Sequence, residues 1–162
     1  MILKNDGDVI RGLGFVVLYA AYLEKQVDDL LLMLQAVELF PENEQRWATS
    51  KKIKKAKRLV AKLVFEYRDT TINDLDALNQ LFDWRNEIIH GRIYVDFDSQ
   101  DVLNSGRPKV LNRIIKSTEL YDLAANLLDA RSAIRRPMIF QIPKAIELMQ
   151  STKSIHLAER TK

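Results

Sequence analysis

Arg85, Asn86 and His90 stand within six residues of one another in the run Arg85-Asn86-Glu87-Ile88-Ile89-His90-Gly91, and His90 is one of only 2 histidines in the chain. Their side chains suit chemistry on a phosphodiester. Arg is a permanent cation whose planar fork matches phosphate oxygens and can stabilise charge on a five-coordinate phosphorus. His can carry a proton near neutral pH. Asn can hold a neighbour or a phosphate oxygen without titrating. The same run also reads as an ordinary helix end. Gly91 stands where a helix C′ glycine belongs, and a His there gains from the negative end of the helix dipole.

The motif needs a helix to carry it, and the spacing predicts one over residues 72–90, with Thr71 and Asp74 as a capping box. Leu75, Leu78, Phe82 and Ile89 form one apolar stripe; Leu81, Trp84 and Ile88 form a second on nearly the opposite side. A helix apolar on two faces is expected to be buried on both, one face in the protomer core and the other against a second subunit. Arg85 and His90 flank the first stripe, about 140° apart around the helix. They converge only if Arg85 extends and the helix end bends, or if a second copy of the helix supplies one of them. The spacing therefore favours a dimeric site.

A first helix is predicted over 8–38, with Phe15, Leu18, Tyr19, Tyr22, Leu23, Leu30, Leu31, Leu34 and Val37 at helical spacing and Asp6 or Asp8 as its cap. Arg11-Gly12-Leu13-Gly14 has no preceding strand and no third glycine, so it reads as close helix packing rather than a phosphate loop. A second helix is predicted over 43–68, with Ile53, Ala56, Val60, Leu63, Val64 and Tyr67 as its apolar stripe. Opposite them, Lys51, Lys55, Arg58 and Lys62 share a narrow arc, widened by Lys52, Lys54 and Lys57. This arc is the candidate RNA-binding face, since clustered cations attract a phosphate backbone; the alternative is a solvated helix surface.

Residues 92–97 suit a short strand, followed by a loop rich in Asp, Ser, Asn and Gly, with Val110-Leu111 as a returning strand. Asp96, Asp98 and Asp101 fail the calcium-loop spacing and read as loop carboxylates, so no metal site is expected. A fourth helix is predicted over 118–135, capped by Ser117 or Thr118 and ended by Arg135-Arg136-Pro137. A short last helix is expected from Pro143 to Met149, then a polar tail over 151–162 holding a surface His156.

The 162 residues favour one domain, and 47% hydrophobic content with 5 Gly and 4 Pro favours a helical one. The absence of Cys excludes disulfides and thiolate metal sites and fits a reducing, cytoplasmic setting. No signal peptide or membrane span is legible. The net charge of +3 permits nucleic-acid binding without requiring it.

Arg85-Asn86, three residues and His90 resemble the signature of the HEPN domain family. The resemblance is specific over roughly 71–92 and architectural over about 8–135. The predicted helices imply an all-α, antiparallel four- to five-helix bundle with a small β-hairpin between the third and fourth helices, and the resemblance implies a bundle of the same kind. Residues 1–150 would form the HEPN-like domain and 151–162 its tail. It further implies a homodimer that cleaves RNA without a metal or cofactor. In that chemistry the ribose 2′-hydroxyl attacks the adjacent phosphate, with His90 moving the proton, Arg85 stabilising the transition state and Asn86 holding the geometry. Family roles include toxin and antiviral defence effector, with an antitoxin or regulatory protein as partner. Members partnered by a nucleotidyltransferase antitoxin commonly carry Tyr two residues after the His; Arg92 stands there in this chain. Two further classes stay open: a non-catalytic nucleotide- or RNA-binding module, and a helical interaction protein.

Overall fold

The structure is a computed structural model that describes residues 7–40, 46–95, 101–104 and 112–160, without the side chains of Val95 and residues 153–160. It is predominantly helical with a small sheet between the third and fourth helices. The order is α1 (Val9–Leu34), α2 (Thr49–Val60), α3 (Arg68–His90), β1 (Arg92–Val95), β2 (Asp101–Asn104), β3 (Arg113–Ile114), α4 (Ser117–Phe140) and α5 (Ile142–Arg160). Among the described residues no helix is long and apolar enough to cross a membrane.

The chain divides into two compact units, and α1, α3 and α4 each contribute to both. The first comprises residues 1–23 and 79–130. Its core is built from Val16, Tyr19 and Leu23 of α1, Phe82 and Ile88 of α3, Val102 and Leu103 of β2, and Leu120, Leu123 and Leu127 of α4. The second comprises residues 24–78 and 131–162. Val27, Leu30 and Leu34 of α1, Ile53, Ala56 and Leu59 of α2, Leu75 and Leu78 of α3, Ile134 and Met138 of α4, and Ile142 and Ile146 of α5 are buried there.

Asp8 caps α1, accepting the Arg11 backbone N–H at 3.0 Å. The helix ends at Leu34, short of the expected 38, and Gln35–Glu38 close it with turn bonds back to Leu31, Leu32, Met33 and Leu34. Leu18 and Tyr22, expected in the core stripe, are 42% and 44% exposed. With Ile10 and Val17 they form an outward apolar row on α1.

The second helix is half the expected length. Residues 46–48 are not α-helical, and the last turn tightens at Val60 through Lys62 and Leu63 N–H bonds three residues back. Val64 and Tyr67 are exposed, so the predicted stripe stops at Leu63. α3 starts at Arg68, which puts Thr71 inside the helix. The Thr71 hydroxyl donates to the Tyr67 carbonyl at 2.9 Å, an in-helix bond that replaces the expected capping box.

The expected hairpin is a three-stranded antiparallel sheet of order β1-β2-β3, with Ile93 opposite Leu103 and Val102 opposite Ile114. The strand returning onto β1 is Asp101–Asn104, in the stretch read from sequence as loop. Asp101 is therefore a strand residue, whereas Asp96, Asp98, Val110 and Leu111 lie outside the described residues.

Glu119, not Ser117 or Thr118, closes the start of α4, accepting the Lys116 backbone N–H at 3.2 Å. α4 then runs through Pro137 to Phe140. That proline costs one helical bond, but Pro137 and Met138 are buried and the Gln141 N–H still reaches the Pro137 carbonyl at 3.0 Å. The break falls at Gln141, because Pro143 has no N–H to donate to the Ile139 carbonyl and is tolerated in the first turn of a new helix. α5 continues to Arg160, so the backbone expected to fray after residue 151 is helical.

Candidate functional site

Arg85, Asn86 and His90 occupy the last turns of α3, which is helical without a break to His90. Asn86 Oδ1 accepts a hydrogen bond from Arg85 Nη1 at 2.9 Å. This contact fixes the guanidinium on the helix surface, with its Nε removed from solvent. His90 is exposed and makes no hydrogen bond or ion pair with the described residues. Because α3 is helical without a break between them, Arg85 and His90 lie about 140° apart around the helix and about 7.5 Å apart along its axis. One chain thus joins Arg85 to Asn86 and directs His90 elsewhere.

Gly91 turns the chain from α3 into β1. The sequence assigns it the left-handed C′ role, but among the described glycines only Gly7 has positive φ. Close packing is what requires a glycine here. A Cβ on Gly91 would lie 2.5 Å from Leu103 Cδ1, 2.9 Å from the Glu87 carbonyl oxygen and 3.0 Å from that of Asn104. Gly12 is similar, with a Cβ there meeting Leu120 and Tyr121 at 2.9 and 3.0 Å, which agrees with its reading as helix packing. Gly14 has open space around it.

Glu87, inside the motif, is committed to structure. Its carboxylate accepts from Arg113 Nε at 3.1 Å, and Arg113 Nη1 also donates to Glu119 at 2.7 Å. Partial burial opposes the Arg113 charge, but the bonds to Glu119 and Glu87 outweigh it and hold the guanidinium above its ordinary value. This bridge ties the end of α3 to β3 and the start of α4. Sequence reasoning missed Arg113, since it lies 26 residues from Glu87. Of the second apolar stripe on α3, Ile88 is buried in the single chain at 2% exposure, while Leu81 and Trp84 are half-buried. Ile88 therefore serves the protomer core and is not available to a second subunit.

The predicted RNA face on α2 is largely engaged within the chain. Lys55 Nζ, Arg58 Nη1 and Lys62 Nζ reach the Glu38 carboxylate at 2.8, 3.1 and 2.5 Å, and Arg58 Nη2 joins them. Arg58, with Lys55 and Lys62, holds the Glu38 carboxyl far below the usual carboxylate range, and Glu38 raises Arg58 in turn. Lys51 lies 4.1 Å from the centre of the Trp47 ring. Lys52 is buried at 8% exposure and pairs with Asp28 at 2.6 Å; Lys57 pairs with Asp76 at 2.5 Å.

A cavity of about 510 Å³ lies in the second unit, lined in part by Tyr67, Thr71, Asp74, Arg136 and Pro137, and includes none of the motif residues. Among the described residues no group of three or more His, Asp or Glu side chains is placed to hold a metal ion. Comparison with protein-family models, with characterised proteins and with solved structures finds no match to this chain.

Proposed function

We propose that this chain is a HEPN-like endoribonuclease that works as a homodimer and needs no metal. The observation that carries the reading is the order of the motif on α3: an Arg85 fixed by Asn86, then an exposed His90 at the helix end. A permanent cation and a proton carrier suffice for transesterification of RNA. One His90 takes the proton from the ribose 2′-hydroxyl as its oxygen bonds to the adjacent phosphorus. The bond from phosphorus to the 5′-oxygen breaks, and that oxygen gains a proton from a second acid. The products are a 2′,3′-cyclic phosphate and a 5′-hydroxyl. Arg85 offsets the charge on the five-coordinate phosphorus.

Each chain has one motif histidine, and on a straight helix it diverges from Arg85. A second copy of α3 supplies the other members, with His90 of one copy as base and His90 of the second as acid. Half-buried Trp84 and Leu81 on α3 offer the apolar contact for such pairing. A toxin or defence role, with an antitoxin or regulatory protein as partner, follows the same family reading. The divergence of Arg85 and His90 also favours a second reading: a chain that stays monomeric would be a non-catalytic RNA-binding or interaction module.

The deciding experiment is incubation with mixed RNA in excess EDTA, with end-group analysis. Cyclic phosphate and 5′-hydroxyl ends are expected. Strict dependence on added magnesium, or 5′-phosphate ends, would overturn the proposal.

A further inference from the structure

Glu38 sits just beyond the end of α1, where the helix dipole disfavours a carboxylate. Three cations from α2 and the turn after it, Lys55, Arg58 and Lys62, hold it there. The match is incomplete in two respects. Among the described residues, one negative charge faces three positive ones, and a carboxylate offers two oxygens to three donor groups. Beside this cradle, Phe40 and Trp47 lie 6.4 Å apart between ring centres, with Lys55 at 4.9 Å from the Phe40 ring.

We infer that the Glu38 cradle is a binding site for a terminal phosphate monoester on an RNA strand, which displaces the Glu38 carboxylate. This rests on RNA being the ligand, as proposed above. An internal phosphodiester carries one charge and two free oxygens, the same as Glu38. It gains nothing over a carboxylate already tethered at high local concentration. A terminal monoester carries up to two charges and three free oxygens, enough to meet all three cations. Glu38 therefore acts as a selectivity gate that ignores the strand interior and yields to its end. The adjacent Phe40–Trp47 pair supplies an aromatic surface for the terminal base.

The test uses 2′-O-methyl oligonucleotides, which cannot be cleaved by 2′-hydroxyl attack, so the readout does not depend on catalysis. One sequence is prepared with no terminal phosphate, with a 5′-phosphate and with a 3′-phosphate, and binding is followed by fluorescence anisotropy. A phosphate at one end or the other is expected to tighten binding to the wild-type protein about tenfold, the scale of one or two charge-assisted bonds. Glu38→Gln should tighten binding of the unphosphorylated strand and so narrow that ratio, whereas Arg58→Gln should weaken binding of the phosphorylated strands and collapse it while circular dichroism stays unchanged. Competition by inorganic phosphate or a nucleoside monophosphate as effective as the phosphorylated strand would place the ligand among free phosphates and overturn the RNA-end assignment. Equal binding of all three strands by wild-type and Glu38→Gln protein would overturn the cradle and leave RNA recognition standing. Phosphate-dependent binding together with no cleavage of unmodified RNA in EDTA would leave the cradle standing and overturn the ribonuclease reading, and no binding of any strand would overturn both.

Discussion

Along α2, the cations are engaged within the chain; at the end of α3, His90 is left exposed. Among the described residues, every basic side chain of α2 except Lys54 meets a carboxylate or a ring. Lys52 is buried against Asp28 and belongs to the packing of its unit. His90 is exposed, and the carboxylate nearest to it in sequence, Glu87, is diverted to Arg113. Cations held by internal partners set where an anion can enter. A histidine with no polar partner among the described residues would, on the proposed reading, be available to move a proton. On the proposed reading the two regions would divide recognition from chemistry, and substitutions can test that division.

The largest effect should come from His90. His90→Ala should lower the rate of RNA cleavage by about 10²–10⁴-fold, the usual worth of one proton-transfer group. Its thermal unfolding should not shift, because the side chain is exposed and makes no polar contact with the described residues. Arg85→Lys should also slow cleavage, since a point charge does not reproduce the planar fork that Asn86 orients. Fragment release from end-labelled RNA in EDTA measures both. Robust cleavage by folded His90→Ala protein would remove the chemistry from this region.

The apolar residues around the motif should separate next. Ile88→Asp puts a charge in the core of the first unit and should cost several kcal/mol, about 3–5, seen as unfolding. Trp84→Asp changes a half-buried side chain and should weaken self-association while the monomer stays folded. Leu18→Asp, on the exposed row of α1, is the comparison that locates the contact. Light scattering at micromolar concentration reads all three. If Leu18→Asp dissociates the dimer and Trp84→Asp does not, the two α3 helices do not face each other. A wild-type protein that is monomeric removes the paired site altogether.

Helix-borne features were legible in the sequence, and long-range partners were not. The motif, the end of α3 at Gly91 and the Asp8 cap depend on neighbours within a turn or two, so spacing alone placed them. The same rule failed where local signals competed with packing. Pro137 reads as a stop, yet its burial with Met138 keeps α4 helical. Thr71 reads as a cap, yet α3 had already begun and its hydroxyl turned inward. Asp101–Asn104 carries loop-like residues at its ends, but Val102 and Leu103 are buried and pair with both flanking strands. The basic arc on α2 was visible, but its counter-charges were not. Asp28, Glu38 and Asp76 come from other segments, and no helical spacing brings them to the lysines.

The smallest effect should be a change in acid sensitivity, and it tests whether the Glu38 cradle is a real electrostatic unit. The folded carboxyl is held well below its unfolded value of about 4.5, mainly by Arg58 and then by Lys55 and Lys62. A depressed carboxyl contributes stability that is fully present above its unfolded pKa. That contribution is lost as pH falls through the window below 4.5 toward the folded value. Glu38→Gln should thus be less stable than wild type at pH 7, and the gap should narrow progressively below pH 4.5. Because the cluster is partly exposed, solvent and salt screen it, so the gap should be modest and should shrink in high salt. Urea unfolding at neutral and acidic pH, at low and high salt, measures it. A gap that stays constant with both pH and salt would mean that Glu38 acts through packing, and the contrast between an electrostatic α2 face and a chemical α3 end would lose its first half.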